Sequence, residues 1–383
     1  MRIVIYEDNY EKFYPLINLF PQFRLRVGVG TIAENTVLLF RTAKMDFVAR
    51  PMFNIDPVRP QEPTLYLSSR LLLTARFRMP RADSRIVVNG QTVGFARHNP
   101  PFPASLGEIK DALETTVGSV PVKGMVMNDL WEIVTLNTSL LIHQCSLGRG
   151  RSIKSGIAYA RGKNIFKARG AQIHRMVFLD ATDGPIYIDA GAEIRPFSSI
   201  IGPSYIGAGT IVDRAKIIRS SIGPHCRIGG EVEASIFQGF SNKYHEGFIG
   251  HSYIGEWVNL GALTTNSDLK NNYGPVRMRI GEREVDTGVT KLGCFVGDHA
   301  KLGIGTLIPT GAVIGSFVNF AGGGMMPRYA PDFKWVIGNT QDTYDLEKAI
   351  KTAQTVLSRR NVQMSHQYEQ LIRTLHGQFC RSN

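Results

Sequence analysis

The residues best suited to chemistry lie in a polar run between Gly229 and Gly250. This run places His245 between Lys243 and Glu246, among glycines, serines and asparagines. Histidine titrates near neutral pH, so it can remove a proton from an attacking amine or hydroxyl as a general base. The alternative is a histidine that only makes loop hydrogen bonds. The composition of the run favours the first interpretation and predicts His245 as a catalytic residue.

A second candidate site lies near the N-terminus. Arg24 and Arg26 precede Gly28 in a glycine-punctuated turn. Backbone N–H groups approach a phosphate closely at such glycines, so these three residues are predicted to bind a nucleotide, with a plain strand turn as the alternative. No P-loop and no GxGxxG accompanies them. Asp129 is either a metal ligand or, more economically, a helix cap.

The chain has 383 residues and a net charge of +12. Part of this charge lies in one segment that contains no acidic residue. Three interpretations are open: a solvated interdomain face, attraction of phosphorylated small molecules, and nucleic acid, which is least favoured because no known nucleic-acid motif accompanies the segment. The segment contains Arg149, Arg151, Lys154, Arg161, Lys163, Lys167, Arg169 and Arg175.

The cysteines and the N-terminus bear on the compartment. The four cysteines are widely spaced, which predicts reduced thiols, a cytoplasmic setting and no zinc site. Glu7 and Asp8 follow a short apolar run, unlike a secretory signal. No stretch approaches the roughly 20 apolar residues that a membrane span requires. We therefore expect no membrane association.

An aliphatic residue recurs at every sixth position in one stretch of the chain, and a second stretch follows the same spacing. This period matches neither an α-helix nor a simple strand. It predicts a coil with three short flat faces, each contributing one inward aliphatic side chain per turn. Glycines that often follow the inward residue predict corners. The two runs are Ile188, Ile194, Ile200, Ile206, Val212 and Ile218, and Val296, Leu302, Ile308, Ile314 and Phe320.

The spacing fails between about residues 219 and 295, which predicts insertions that project from the coil. Before the coil, Arg2–Tyr6 predicts a buried strand and the Asn-Gly pair at 89–90 predicts a hairpin. After it, apolar residues at helical spacing predict helices over 345–360 and from about 365. We expect these helices to cap the open end of the coil, with partner binding as the alternative.

Several short segments of the sequence resemble motifs of a known protein family. In the coil they are Gly229-Gly230-Glu231, Ser241-Asn242-Lys243, His245, Gly247-Phe248, Ile254-Gly255-Glu256-Trp257, Asn259-Leu260-Gly261-Ala262 and Leu269-Lys270-Asn271-Asn272-Tyr273-Gly274. In the head they are Leu25-Arg26-Val27-Gly28, Asn89-Gly90 and Leu130-Trp131-Glu132. With the period of six, they resemble the hexapeptide-repeat, left-handed parallel β-helix family, mostly acyltransferases. More narrowly, these segments resemble one branch of that family, the short-headed sugar nucleotidyltransferases. These are relatives of the bifunctional N-acetylglucosamine-1-phosphate uridylyltransferase/glucosamine-1-phosphate acetyltransferase.

The resemblance implies roles for particular residues. It makes His245 the base of acetyl transfer from acetyl-CoA, with backbone N–H groups at Gly261 and Ala262 for the oxyanion. The coenzyme A phosphates are expected near Lys291, Lys301 and Arg328. The implied substrate-binding residues are Asn242, Lys243, Asn259, Gly261, Ala262, Asn272 and Tyr273.

The chain departs from the family pattern at several positions. The family's phosphate-gripping lysine falls on Glu233, and its tyrosine after the histidine falls on Phe248. A phosphate-binding arginine has no counterpart at the same spacing, although Arg214 and Arg219 are near. The head lacks the GxGTR start. Two further histidines, at 251 and 299, are expected to be corner residues of the coil.

The sequence thus predicts an α/β head plus a left-handed parallel β-helix with C-terminal helices. The predicted boundaries are 1–175 for a shortened nucleotidyltransferase-like domain, 176–335 for the acyltransferase-like β-helix and 336–383 for the helical cap. The expected activity is acetylation of an amino-sugar phosphate or a nucleotide-linked amino sugar by a homotrimer. The alternatives are Mg²⁺-dependent nucleotidyl transfer through the head, and a catalytically silent scaffold or sugar-nucleotide sensor.

Overall fold

A computed structural model of the chain describes residues 1–56, 58–145, 151–152, 159–338 and 340–382. The chain is divided into two compact units. One comprises Met1–Phe13, Phe20–Leu25 and Gly30–Glu132, and the other comprises Tyr14–Leu19, Arg26–Val29 and Ile133–Asn383. The predicted fold class, an α/β head with a left-handed parallel β-helix and C-terminal helices, is confirmed.

The first unit is built on a six-stranded mixed sheet. The predicted strand Arg2–Tyr6 lies inside it, pairing in parallel with both of its neighbours. Asn89 and Gly90 have φ of 47° and 81° in the predicted hairpin turn, the left-handed conformation that a tight Asn-Gly turn requires. In sheet order the strands are Lys44–Val48, Arg2–Tyr6, Thr64–Ser68, Gln91–Arg97, Ser84–Val88 and Ser119–Pro121.

Smaller elements complete the head and lead into the second unit. Leu71–Leu73 pairs with Gly124–Val126, and Arg26–Val27 and Gly30–Thr31 are short strands. The 3₁₀ helices are Tyr10–Phe13, Gln22–Arg24 and Pro51–Phe53. The α-helices are α1 (Ile32–Leu39), α2 (Leu106–Thr115), α3 (Glu132–Thr135) and α4 (Asn137–Cys145). Thr31 caps α1 in a capping box with Glu34, and Ser105 caps α2.

The second unit is a parallel coil with three faces, named here first, second and third in chain order. The first face holds Ile165–Lys167, Ile186–Ile188, Ser204–Ile206, Ser221–Ile222, Ile236–Gly239, Tyr253–Glu256, Phe295–Val296, Val313–Ile314 and Tyr329–Ala330, with Arg151–Ser152 antiparallel at its start. The second holds Gln172–Ile173, Glu193–Ile194, Asn242–Lys243, Asn259–Leu260, Lys301–Leu302, Asn319–Ala321 and Lys334–Ile337, with Thr340–Thr343 antiparallel at its end. The third holds Tyr159–Arg161, Phe178–Asp180, Ser199–Ile201, Phe248–Gly250, Thr265–Asn266, Thr306–Ile308 and Gly324–Met325. Ile211–Ile218 and Arg227–Glu233 each run from the second face onto the third.

One inward residue per face fills the coil, as the six-residue period predicts. Ile218 is the exception. The register shifts between Val212 and Ala215, so Ile217 points inward at 0% exposure and Ile218 is only half-buried. Cys226 and Cys294 are free thiols within this core.

The glycines that follow inward residues are required by close contact between turns. A Cβ on Gly229 would lie 2.1 Å from the carbonyl oxygen of Tyr244, and one on Gly223 would lie 2.2 Å from that of Gln238. Neither distance is sterically allowed. These positions therefore exclude a side chain because the next turn passes directly beneath them.

The predicted break between 219 and 295 is mostly wrong, because the coil continues through it with shorter turns. Ile206, Ile222, Phe237 and Ile254 lie over one another at separations of 16, 15 and 17 residues, and the regular period is 18. One true insertion follows, over 267–292, with the antiparallel hairpin of Arg277–Ile280 and Arg283–Asp286. It interrupts the coil without ending it, because Ile254 pairs directly with Val296.

The predicted boundary at 175 falls inside the coil, because Ile165–Lys167 already pairs in parallel with Ile186–Ile188. Of the basic residues between 149 and 175, Arg149 and Lys154 lie outside the described residues. Arg161, Lys163, Arg169 and Arg175 are exposed. Among the described residues, no helix has the length and apolar character needed to cross a membrane.

The predicted C-terminal helices are present as α5 (Leu346–Ser358), capped by Asp345, and α6 (His366–Ser382). They do not cap the end of the coil. They lie along its side, against an aromatic stack at the corner between the first and second faces. Tyr368 of α6 contacts His299, and Phe379 contacts Phe333. The stack consists of His225, Phe240, Trp257, His299, Phe317 and Phe333, each at positive φ.

Candidate functional site

A cleft of about 740 Å³ lies on the second face of the coil, with α5 and the residues after it forming its other wall. The described residues that line it include no aspartate or glutamate. Its charged side chains are therefore all basic. The lining includes Arg227, Phe240, Asn242, Tyr244, His245, Trp257, Asn259, Gly261, Ala262, Lys301, Val356, Arg359 and Arg360.

His245 lies at the rim of this cleft, just after the strand Asn242–Lys243. Its side chain is exposed, and its ring meets the ring of Tyr244 edge-on with centroids 5.7 Å apart. It also borders a smaller depression of about 270 Å³ with Arg214, Ala262 and Leu263. The imidazole is therefore accessible to a ligand from the second face or from the third.

Tyr244 is held by charges on the preceding turns. Its hydroxyl donates to Asp213 Oδ2 at 2.7 Å and accepts from Arg195 Nη1 at 2.9 Å. Arg195 in turn pairs with Glu193 at 3.0 Å. The hydrogen bond to Asp213 raises the pKa of Tyr244, with burial and the charge of Asp213 adding to it. This network fixes the aromatic ring against which His245 rests.

Lys243, predicted to bind substrate, is 1% exposed. It takes the inward position that Ile228 holds in the turn before. Its Nζ donates to Gly229 O at 3.0 Å and to His245 O at 2.6 Å. Burial lowers the pKa of Lys243 to about 8. Its ammonium supports the backbone that carries His245, and its side chain does not line the cleft.

The asparagines of the second face stand in register. Asn242 pairs with Asn259, and Asn259 pairs with Lys301, so their side chains point to the same side of the coil. Asn259 is exposed, and Asn242 Oδ1 accepts from Arg360 Nη2 at 2.8 Å. These two amides can bind hydroxyl groups of a ligand in the cleft.

The predicted oxyanion donors, Gly261 and Ala262, both line the cleft. The N–H of Gly261 is already used, because it donates to Leu302 O at 2.8 Å. This leaves the N–H of Ala262 as the donor of the pair. The following peptide is held separately, because Ala262 O accepts from Gly305 N at 2.8 Å.

Lys301, predicted to contact the cofactor, is half-buried in the lining of the cleft. Its Nζ donates to Trp257 O at 2.6 Å and to His299 O at 3.0 Å. Burial lowers the pKa of Lys301 to about 7. His299 is a left-handed corner residue, as expected, and so is His251. The pKa of His299 lies well below its usual range because the ring is buried, with a smaller effect from Lys301.

Besides Lys243, four residues predicted to bind substrate or coenzyme A lie outside this cleft. Asn272 and Tyr273 belong to the insertion, where Tyr273 is 72% exposed. Lys291 lies at the end of the insertion, opposite Leu269. Arg328 is exposed near the last turns. The structure does not bring these four together with His245.

The predicted nucleotide-binding residues are placed differently from one another. Arg24 is exposed in the first unit. Arg26 is buried in the second, and its Nε donates to Gln238 O at 3.0 Å. Gly28 N–H donates to Asn137 Oδ1 at 2.7 Å, and a Cβ there would overlap Gln144. Arg26 and Gly28 are thus engaged within the chain.

Acidic groups of the head also pair within it. Glu7 pairs with Arg50, and Asp8 with Arg70. Asp129, the candidate metal ligand or cap, lies 3.2 Å from Lys12 Nζ. The capping carboxylate at this helix start is that of Glu132, which accepts from two backbone N–H groups. Throughout the described part of the chain, no three His, Cys, Asp or Glu side chains form a metal-binding group.

Three arginines of the cleft were not predicted: Arg227, Arg359 and Arg360. Arg227 is far in sequence from the other two, and only the fold brings all three to one cleft. The sequence signal available was the Arg-Arg pair at the end of the amphipathic helix. A basic pair that ends α5 gives no indication of the coil face on which it will lie.

Comparisons with known proteins agree with the resemblance stated above. The chain is 29% identical over 227 residues to the bifunctional protein GlmU of Methanococcus aeolicus, covering 56% of this chain and 49% of that protein. It is 31% identical over 157 residues to the bifunctional sugar-1-phosphate nucleotidylyltransferase/acetyltransferase of Sulfurisphaera tokodaii, covering 38% and 37%. It is 28% identical over 152 residues to the uncharacterized acetyltransferase YaiX of Escherichia coli O6:K15:H31, covering 39% and 66%.

The chain spans about half the length of the first two of these relatives or less. No family model matches it. Among solved structures, the polySia specific acetyltransferase NeuO aligns with 50% of this chain and 83% of its own at a TM-score of 0.29 and 12% identity, too low to carry an argument. The resemblance to hexapeptide-repeat relatives is confirmed by the sequence matches together with the coil.

Proposed function

We propose that this protein is a cytoplasmic acetyltransferase of sugar-nucleotide metabolism. It transfers acetyl from acetyl-CoA to the amine of an amino-sugar phosphate or a nucleotide-linked amino sugar, with His245 as general base. The observation that carries this proposal is the exposed imidazole at the rim of a basic cleft, with Asn242, Asn259 and Ala262 around it. Acetyltransferase also appears in the names of relatives.

The chemistry requires few groups. The amine nitrogen attacks the thioester carbonyl carbon, the carbon–sulfur bond breaks, and the thiolate leaves. His245 takes the proton from the attacking nitrogen and returns one to the sulfur, so that free thiol is released. Negative charge on the carbonyl oxygen is stabilised by an N–H donor, a role that we assign to Ala262. Lys243 and Tyr244 keep the histidine backbone and ring in position.

The proposal includes a homotrimer. Large apolar side chains are exposed on the third face and at the corner before it, an arrangement that suits a contact between copies. Leu307 and Met325 are in register on this face. The exposed fractions are 67% for Phe197, 63% for Leu263, 73% for Ile304, 40% for Leu307 and 68% for Met325. His245 lies at the same corner, so a neighbouring copy would enclose it.

Release of free thiol from acetyl-CoA in the presence of a panel of amino sugars tests the activity. Glucosamine 1-phosphate and UDP-glucosamine represent the two acceptor classes. The His245→Ala variant is expected to lose about 10²–10⁴-fold in rate, the usual contribution of a general base. His366→Ala, an exposed histidine on α6, is the matched control. Turnover that persists in His245→Ala would remove this residue from the mechanism.

Nucleotidyl transfer is the second candidate, because a relative carries that activity in its name. Formation of a nucleotide sugar from NTP, Mg²⁺ and a sugar 1-phosphate tests it separately. Because Arg24 is the exposed member of the predicted phosphate-binding set, Arg24→Gln should abolish this activity if the head performs it. Absence of both activities would favour a scaffold or sensor.

A further inference from the structure

Basic side chains flank His245 on two sides, and the two groups differ in their partners. On the third face each lies next to a carboxylate. Lys216 pairs with Glu231 at 2.8 Å, and Arg219 pairs with Glu233 at 2.7 Å. Arg214 lies 3.7 Å from Asp213. Their charge is largely compensated within the protein, so this face offers little net attraction for an anion.

The arginines that line the cleft have no carboxylate partner among the described residues. Arg227 Nη1 donates to the carbonyl oxygens of Gly209 and Cys226 at 3.1 and 2.9 Å. Arg360 Nη2 donates to Asn242, and its Nε is buried without a hydrogen-bond partner. Burial lowers the pKa of Arg227, and the charge of Arg360 lowers it further. Two like charges in a partly buried cleft are costly unless an anion joins them.

Apolar groups lie beside the two guanidinium groups. The Phe240 ring, which lines the cleft, is stacked between His225 at 5.0 Å and Trp257 at 4.4 Å. Val356 of α5 lines the cleft as well. Because both faces of the Phe240 ring are covered, the apolar contacts left for a ligand are the edge of this ring and Val356. A flat heterocycle can meet an aromatic edge in a T-shaped contact. A simple sugar phosphate has no group that would use this part of the cleft.

We propose that the cleft binds a nucleotide, with its phosphate between Arg227 and Arg360 and its base against the edge of Phe240 and Val356. The inference rests on the proposed function, because it names the class of substrate for the same cleft. Both a nucleotide-linked amino sugar and the ADP portion of coenzyme A carry this chemistry. Because Arg360 follows α5, the C-terminal segment supplies half of the phosphate site.

Calorimetric titration of the full chain tests this binding without requiring turnover. The probes are UDP, adenosine 3′,5′-bisphosphate, glucosamine 1-phosphate and inorganic phosphate. We expect UDP or the bisphosphate to bind, and Arg227→Gln and Arg360→Gln each to weaken it by about 10- to 100-fold, as loss of charge-assisted hydrogen bonds does. Arg219→Gln, which removes an arginine paired with Glu233, is the matched control and should stay within about twofold.

Further variants keep the result interpretable. Arg227→Lys retains the charge and should weaken binding less than Arg227→Gln, and circular dichroism checks that both are folded. Phe240→Leu should weaken the nucleotides but leave inorganic phosphate unchanged. Equal affinity of wild type and Arg360→Gln, or glucosamine 1-phosphate binding as tightly as the nucleotides, would overturn the proposal.

The two proposals can fail separately. Nucleotide binding that depends on both arginines without any acetyl transfer would leave the inference standing and remove the enzyme. Acetyl transfer whose KM for acceptor and donor is unchanged in both arginine variants would do the reverse. Preference for UDP over the bisphosphate would assign the site to the acceptor, and the opposite preference would assign it to coenzyme A.

Discussion

The ammonium of Lys243 lies 2.6 Å from the carbonyl oxygen of His245, two residues further along the chain. The same ammonium holds Gly229 of the preceding turn. A buried inward lysine thus connects the backbone of the candidate base to the coil. The position of His245 therefore depends on a buried residue that does not line the cleft.

Replacing Lys243 should therefore affect both stability and turnover. Lys243→Met fills the same space but leaves two buried carbonyl groups without a donor, which costs roughly 1–3 kcal/mol in free energy of unfolding. Because the loop is released, kcat should fall about tenfold or more with KM changed less. Urea unfolding and steady-state kinetics measure the two effects. A variant that is less stable with unchanged kcat would show that the lysine has a structural role only.

The register shift in the coil gives a matched pair of core substitutions. Ile217 is 0% exposed, and Ile218 is half-buried outside the core. Ile217→Ala should lower the free energy of unfolding by about 2–5 kcal/mol, and Ile218→Ala by less than about 1 kcal/mol. Chemical denaturation distinguishes the two. The reverse order would restore the uninterrupted six-residue period and contradict the shift at Val212 and Ala215.

The lowered pKa of the half-buried Lys301 leads us to expect that the stability of the fold depends on pH. Its pKa falls from the ordinary 10.5 to about 7 on folding. Between these values the unfolded chain binds a proton that the folded chain does not. Raising the pH from about 7 to 10 should therefore stabilise the fold, by up to about 1.4 kcal/mol per pH unit from this group.

Lys301→Met should remove that part of the slope. Urea unfolding at pH 7, 8 and 9 compares the variant with wild type and with Lys351→Met, an exposed lysine on α5. The Lys351 variant should follow wild type. Parallel curves for all three proteins would mean that Lys301 keeps its proton over this range, held by Trp257 O and His299 O.

The apolar third face predicts a change of assembly on introduction of charge. Leu263→Asp and Met325→Asp should each convert the proposed trimer to monomers, because an isolated carboxylate at an apolar contact is unfavourable. Light scattering after size exclusion measures the mass. Val117→Asp, at a residue of the head that is 86% exposed, should have no effect. A wild-type monomer, or trimers in all three variants, would contradict the assigned surface.

The six-residue period was sufficient to predict the coil, because most inward positions are filled by aliphatic side chains. It failed where turns lose one to three residues, since a shortened turn keeps its pairing but shifts every later position. Ile218 illustrates this: one irregularity at Val212 and Ala215 passes the inward position to its neighbour. Sequence spacing cannot distinguish such a turn from an excursion, and the true insertion was therefore predicted too long.

The site was predicted in part. His245, Asn242, Asn259, Gly261, Ala262 and Lys301 were predicted separately and line one cleft. Lys243 was expected to face a ligand, but it is buried, and residue type alone does not reveal burial. Arg227 and Arg360 were missed because their proximity depends on α5 lying along the side of the coil, and amphipathicity shows only that a helix packs somewhere.

That placement of α5 makes the C-terminus part of the cleft wall. Arg360 already hydrogen-bonds Asn242 across the gap between the helical tail and the coil. An anion held jointly by Arg227 and Arg360 would act as a clasp, and the free energy of occupancy would be added to that of tail docking. Binding of a ligand in the cleft should then reduce fraying of the tail formed by α5 and α6. The tail should therefore resist proteolysis more strongly when the cleft is occupied.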